Sequence, residues 1–293
     1  MFVEARTRSV LAEVCRRLGY PSADAVLLRH HTNAVYAVED VVVKIAPPRL
    51  GMDRLRWVTQ LVLWLTARGF PTVELSPRLS QPIEVEGLSV TVWQRLDLAQ
   101  KYPVTVAELG GLLRELHALP PPPTPLPRLR PAESIQRSIV ASPILTDRDR
   151  SLLLSRLDDL AKAWDSPVPH DICLIQSDPQ VRNALRRADG AAVLADWDGA
   201  AIGPREWDVA TVAVHCRRFM ADEPSAFASF VTAYGWDPNG WDGFEDLCRL
   251  RELQMITTNA RKSAPGTAAA TEVHRRIAAL RNGTSVQHRW HIL

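Results

Sequence analysis

Between Arg8 and Leu18, apolar Val10, Leu11, Val14, Cys15 and Leu18 recur at three- and four-residue spacing, which predicts an amphipathic helix stopped at Gly19. Three β-rich runs follow at Ala25–Arg29, Ala34–Val38 and Val41–Ile45. Only Glu39 and Asp40 separate the last two, so they predict a tight hairpin within a small antiparallel sheet. Helical period returns over Asp53–Arg68 through Leu55, Val58, Leu61, Val62 and Leu65, with Gly69 and Pro71 as terminators. Strands resume at about Ile83–Glu86 and Leu88–Leu96.

Beyond residue 96 the pattern changes. A linker at Asp97–Pro103 leads to a Leu-rich helix at about Val106–Ala118, and the proline cluster Pro120–Pro125, with Pro127 and Pro131, predicts an extended surface segment. Helices are expected at about Asp147–Ala163, Glu206–Phe219, Ser225–Tyr234, Phe244–Lys262 and Thr267–Leu280. Residues 172–197 break that rhythm: Ile172–Ile175 and Ala192–Ala195 are short apolar runs, and the polar stretch between them holds Asp178 and Asn183. The expected fold class is therefore α+β, with an N-terminal domain of sheet plus helix over residues 1–96 and a larger, mainly helical domain over 97–293.

Composition narrows the functional classes. With 46% hydrophobic and 23% charged residues the chain can build an ordinary core. A formal net charge of +2 with dispersed arginines gives no basic stripe, so no nucleic-acid partner is expected. Cys15, Cys173, Cys216 and Cys248 have neither zinc spacing nor a disulfide framework and read as buried thiols. There is no signal-like segment and no long apolar run, so a cytoplasmic protein without a membrane partner is expected. The basic residues are overwhelmingly arginine. Lysine occurs only at 44, 101, 162 and 262, which singles out Lys44 at the end of the strand VVVKIA.

Phosphoryl transfer requires a cation on the nucleotide, ligands for a phosphate-bound metal, and a carboxylate to align the acceptor hydroxyl. Lys44, Asp178 and Asn183 in QSDPQVRN, and Asp196 at the end of an apolar run, follow one another along the chain and supply residue types suited to those roles. In that order, with GPREWDVA, LLRELHAL and WDGFEDLCRLREL, the chain resembles the aminoglycoside phosphotransferase and choline kinase-like family, which has a two-lobed protein-kinase-like fold.

The resemblance implies an ATP- and Mg-dependent kinase, with GTP as the alternative nucleotide bound in a cleft, that phosphorylates a hydroxyl of a small-molecule acceptor. It assigns Asp178 as the group that orients or deprotonates this hydroxyl, Asn183 and Asp196 as magnesium ligands, and Lys44 as the contact to the α- and β-phosphates. It further places Trp93, Gln94 and Arg95 in an adenine-binding hinge, Asn33 near a phosphate, and Asp208 as buried support of the catalytic loop. Asp198 reads as a supporting residue rather than a metal ligand. His30 and His31 read as loop residues, and His170 as either an acceptor contact or a surface residue.

Three positions depart from the family pattern. Gln176 and Ser177 replace its loop His-Gly, Val58 stands where its helix glutamate would pair with Lys44, and the loop before Asn33 has no glycine. Glu74 is a candidate replacement for the missing acid. These departures define an alternative: a catalytically impaired kinase-fold protein that binds nucleotide or another ligand without transfer. A protein kinase fits less well, because a glycine-rich loop and an APE-like segment are missing. Between residues 215 and 293 ten Lys and Arg face eight Asp and Glu, so the region expected to shape the acceptor pocket is not acidic. Local clusters such as Asp242, Glu245 and Asp246 are candidates for an anionic mouth. Trp236, Trp241 and Trp290 read first as core residues.

Overall fold

A computed structural model describes residues 2–30, 32–48, 51–99, 102–164, 168–220, 222–283 and 289–292; His31 and Lys101 lie outside the described residues. The chain folds into two compact units. The first comprises Met1–Val104, Pro120–Leu126 and Val181–Ala200, and the second Thr105–Leu119, Pro127–Gln180 and Ala201–Leu293. Among the described residues no helix is long and apolar enough to cross a membrane.

In the first unit, strands β1 (Val26–His30), β2 (Ala34–Val38), β3 (Val41–Ala46), β4 (Ile83–Val85) and β5 (Leu88–Gln94) form one antiparallel sheet in the order β1-β2-β3-β5-β4. Residues alternate faces along a strand, so buried Tyr36, Val43, Ile45, Val90 and Val92 build a core. Helix α1 (Glu4–Leu18) lays Val10, Leu11, Val14 and Cys15 against that core. Helix α2 (Met52–Ala67) buries Leu55, Val58, Leu61, Val62 and Leu65, the stripe that its sequence period predicts.

The late segment 181–200 joins this unit through backbone pairing. Strands β7 (Ala184–Arg186) and β8 (Ala192–Leu194) make a hairpin. Val73 N–H donates to Leu194 O at 3.0 Å and Leu194 N–H to Pro71 O at 2.9 Å, while Ala188 N–H reaches Asp97 O at 2.8 Å. Buried Trp197 donates its indole N–H to Thr72 Oγ1 at 2.8 Å. The unit is therefore assembled from three stretches of chain.

The second unit is helical around one two-stranded ribbon, β6 (Ile172–Ile175) paired with β9 (Ala201–Pro204). Helix α3 (Val106–His117) begins with a capping box in which Thr105 and Glu108 satisfy each other's backbone N–H. It packs on α7 (Ala226–Tyr234) at Gly110, where an added Cβ would stand 2.8 Å from Phe230 O. Helices α4 (Pro131–Val140), α5 (Asp147–Trp164) and α6 (Arg205–Phe219) surround α8 (Phe244–Lys262), and α9 (Ala268–Arg281) packs on α8 from the C-terminal side.

Helix α4 departs from the sequence expectation. Pro131, grouped above with the proline-rich loop, is its first residue, a position where the missing N–H is not needed and φ is already helical. All four cysteines are free thiols, and burial pushes those of Cys216 and Cys248 up to about 12.

Candidate active site

The first unit contains a cavity of about 910 Å³ lined by Lys44, Trp93, Gln94, Arg95, Asn183 and Asp196 among others. Lys44 reaches it because β3 alternates: Val43 and Ile45 point into the core, and Lys44, paired across the sheet with Val35 and Thr91, takes the opposite face. Asn183 and Asp196 are brought together by the β7–β8 register. Ala184 pairs with Leu194, and Ala195 N–H donates to Asn183 O at 2.7 Å, so the two candidate metal ligands flank the open end of one hairpin. Asp196 sits at φ 58°, ψ 61°, a left-handed conformation that aspartate tolerates better than most residues.

Lys44 Nζ lies 2.7 Å from Asp198 Oδ2 and 3.4 Å from Asp196 Oδ1. Asn33, buried in the loop before β2, donates its Nδ2 to the same Asp198 oxygen at 3.1 Å. Arg54 on α2 donates to Asp198 O. Burial opposes ionisation of Asp198, but the adjacent Lys44 ammonium, with Asn33 and Arg54, outweighs it and holds the carboxyl below its ordinary range. Helix α2 supplies no acid to Lys44: Val58 is buried, and Asp53, 95% exposed, pairs with Arg56. Glu74 instead accepts from Gln94 Nε2 at 3.2 Å. Asp198, read from sequence as support, is thus the closer of the two acids that pair with Lys44.

Trp93, Gln94 and Arg95 line the cavity, yet two backbone donors of this stretch are engaged within the unit. Gln94 N–H donates to Glu74 O and Arg95 N–H to Asp40 O, both at 2.9 Å.

Asp178 belongs to the second unit, where its loop follows β6 and is fixed from below. Fully buried Asp208 on α6 accepts Gln176 N–H at 2.8 Å and Ser177 N–H at 2.9 Å, the support that the resemblance implied. His117 Nε2, 3.2 Å from Asp208 Oδ2, donates to that carboxylate, and its Nδ1 then accepts from Tyr234 OH at 2.8 Å. Burial raises the Tyr234 phenol, which keeps it a donor. Gln176 replaces a histidine without leaving a gap, since its Oε1 accepts Asp178 N–H at 2.8 Å. Ser177 stands at φ 70°, where a glycine is unstrained and serine is not.

The Asp178 carboxylate accepts from Arg251 Nη2 on one oxygen and from Gln180 Nε2 at 3.2 Å on the other, with His215 Nε2 4.0 Å away. Sequence reasoning missed Arg251, although a signal was present. It lies four residues after Leu247 on the buried face of α8, and a cation on an apolar stripe requires a counter-charge. The same signal also marks Arg218 and Arg276, which pair with Glu252 and Glu272, so it does not single out a site.

Other candidate residues in this unit are engaged by their neighbours. His170 is held by buried Glu206, with Nδ1 to Oε1 at 2.7 Å, and Trp236 meets its ring edge-on. Trp290 packs over the Arg276 guanidinium at 4.2 Å. Glu245 pairs with Arg217 and Asp246 with Arg249, so two of the three acids proposed for an anionic mouth are neutralised by arginine.

Among the described residues there is no group of three or more His, Cys, Asp or Glu able to hold a metal. An amide and a carboxylate oxygen at the hairpin end do fit a hard, oxygen-seeking cation that keeps waters and takes further ligands from phosphate.

The family model described as "Phosphotransferase enzyme family" matches residues 25–247. No curated protein matches the chain. Among solved structures, the amicoumacin kinase hAmiN in complex with AMP-PNP, Ca2+ and Ami is similar at 14% identity and TM-score 0.76, covering 99% of this chain and 98% of that one. A choline/ethanolamine kinase family protein from Mesorhizobium loti is similar at 17% identity and TM-score 0.65, covering 97% of each chain. An aminoglycoside-3'-phosphotransferase of type VIII is similar at 19% identity and TM-score 0.62, covering 84% of this chain and 98% of that one. These likenesses establish a shared protein-kinase-like α+β fold.

Proposed function

The chain belongs to the phosphotransferase enzyme family, and from that premise we propose that it transfers the γ-phosphoryl group of ATP to a hydroxyl of a small molecule, with magnesium as the metal. The observation that carries this is the meeting of Lys44, Asn183 and Asp196 on one cavity of the first unit. These three residue types suffice for a nucleotide site in which little covalent chemistry is asked of the protein. Lys44 binds the α- and β-phosphates, and Trp93, Gln94 and Arg95 border the adenine. Asn183 and Asp196 hold magnesium, which when bound neutralises phosphate charge.

Asp178 orients the acceptor hydroxyl and takes its proton. The acceptor oxygen then bonds to the γ-phosphorus as the β–γ bridging P–O bond breaks and ADP departs. Arg251 beside Asp178, with a distal region that is not acidic, favours a neutral or anionic acceptor over a polycationic aminoglycoside. GTP in place of ATP is an outcome of the nucleotide test.

One observation favours the alternative, a protein that binds nucleotide without transfer: both Asp178 oxygens already accept hydrogen bonds, from Arg251 and Gln180, so an acceptor hydroxyl must displace a donor to reach the carboxylate.

Thermal shift with ATP or GTP, with and without magnesium, tests the nucleotide site, because a ligand of the folded state raises apparent stability. A magnesium-dependent rise lost in Asp196→Ala is expected. Across a panel of hydroxyl acceptors, phosphorylated product is expected to fall about 10²- to 10⁴-fold in Asp178→Ala with nucleotide binding retained. Binding by the wild type with no product above the Asp178→Ala blank would favour the non-transferring alternative.

A further inference from the structure

We propose that Asp198 is the positioning residue of Lys44, the role that a helix glutamate fills in protein kinases, and that Asn33 fixes it there. The proposal rests on the nucleotide site proposed above. Four observations carry it. Helix α2 offers no carboxylate to Lys44, since its one acid pairs with Arg56. Of the two acids near Lys44, Asp198 is closer, at 2.7 Å against 3.4 Å for Asp196. The Asp198 oxygen that meets Lys44 also accepts from buried Asn33, and Asp198 O accepts from Arg54, so both its carboxylate and its backbone are held. Finally, Lys44, Asn183 and Asp196 line the cavity whereas Asp198 lies outside that lining.

Asp196 and Asp198 therefore divide two tasks on one short turn. A cation held by Asp196 and Asn183 would compete with Lys44 for the Asp196 carboxylate, which would leave Asp198 to hold the ammonium. This places the lysine's partner on the metal loop instead of on a helix. In kinases whose lysine pairs with a helix acid, movement of that helix switches the pair on and off. Here α2 contributes Arg54 to a backbone carbonyl and no acid to the lysine, so the ammonium is set by the same turn that presents the metal ligand.

The test measures affinities by calorimetry for ATP, ADP and adenosine, each with and without magnesium, on wild type, Asp198→Ala, Asp198→Asn and Asp198→Glu. Asp198→Ala is expected to weaken ATP and ADP about 10- to 100-fold, the effect of losing a hydrogen-bonded charge partner. Adenosine, which carries no phosphate, is expected to bind as in wild type. The loss should persist without magnesium, Asp198→Glu should recover part of it, and adding Asp198→Ala to Lys44→Met should cost nothing further.

A loss seen only with magnesium would make Asp198 a metal ligand and overturn the proposal. So would equal weakening of adenosine, or unchanged ATP binding in Asp198→Ala and Asp198→Asn. Wild type that binds neither ATP nor ADP would overturn the nucleotide site itself, and the proposal with it. Should Asp198→Ala fail to fold, Asp198→Asn and the adenosine comparison decide the question.

Discussion

The two polar loops to which the proposed function assigns its chemistry are held by different means. The turn 196–198 of the first unit is a balance of charges, two carboxylates against Lys44 with Arg54 on a nearby carbonyl. The loop 176–178 of the second unit hangs by its backbone, with two amide N–H groups donated to a fully buried carboxylate and a third to a side-chain amide. Charge pairs rearrange when a new charge arrives, while buried amide bonds have no cheaper alternative. Under the proposed function the first arrangement suits a turn that accepts phosphate and metal, and the second suits a loop that keeps a carboxylate still.

Asp208→Ala breaks this contrast most directly. It strands two buried N–H donors and the His117 ring, and is expected to cost about 3–5 kcal/mol of stability in chemical unfolding. Because its two backbone donors carry no charge, added salt should change their share of that cost little.

The second unit also contains a charge-built device, in which Glu272 accepts from Arg275 and Arg276 and from His291 N–H. Burial resists ionisation of Glu272, but the two guanidiniums prevail and bring its pKa from 4.5 to about 2. A lowered carboxyl pKa stabilises the fold above the ordinary value and ceases to do so as pH falls through the folded one. Glu272→Gln is therefore expected to lose about 2 kcal/mol at neutral pH, a deficit that closes as the pH drops from 4.5 to about 2 in parallel unfolding series. An unchanged deficit at low pH would show that the cluster acts by shape and not by charge.

The smallest effect is expected at Ser177→Gly. Relief of a left-handed residue, about 1–2 kcal/mol, opposes the entropy that glycine adds to the unfolded chain, about 0.5–1 kcal/mol. A net gain below about 1 kcal/mol in the unfolding midpoint is the expected result.

Legibility in the sequence followed the physics of each element. Periodicity placed α2, expected at 53–68 and observed as Met52–Ala67, and α8, expected and observed at Phe244–Lys262. It failed at α4, whose apolar face is short and whose first residue is a proline, and at β7 and β9, which are three and four residues long. The family order brought out Lys44, Asn183 and Asp196, which share a cavity. Arg251 and the Lys44–Asp198 pair stayed hidden. Each joins residues remote in sequence, by 73 positions for Asp178 and Arg251, and nothing local to either partner marks the other. The boundary at 96/97 marks a change of composition along the chain, whereas compactness is decided by packing, which draws residues 181–200 to the N-terminal sheet.

That late contribution has a consequence for how the protein is made. A nascent chain that has emerged as far as Val104 already holds the five-stranded sheet and Lys44, but lacks Asn183, Asp196 and Asp198. At about 5–20 residues per second the ribosome needs on the order of 5 to 20 s more to deliver them. During that interval the lysine has none of its native acids, and the Pro71–Leu194 backbone pairing has one side only. The N-terminal unit is thus completed only once residue 200 has emerged, long after its own sheet, and a chain stalled in between carries Lys44 and one side of that backbone pairing with nothing to close them.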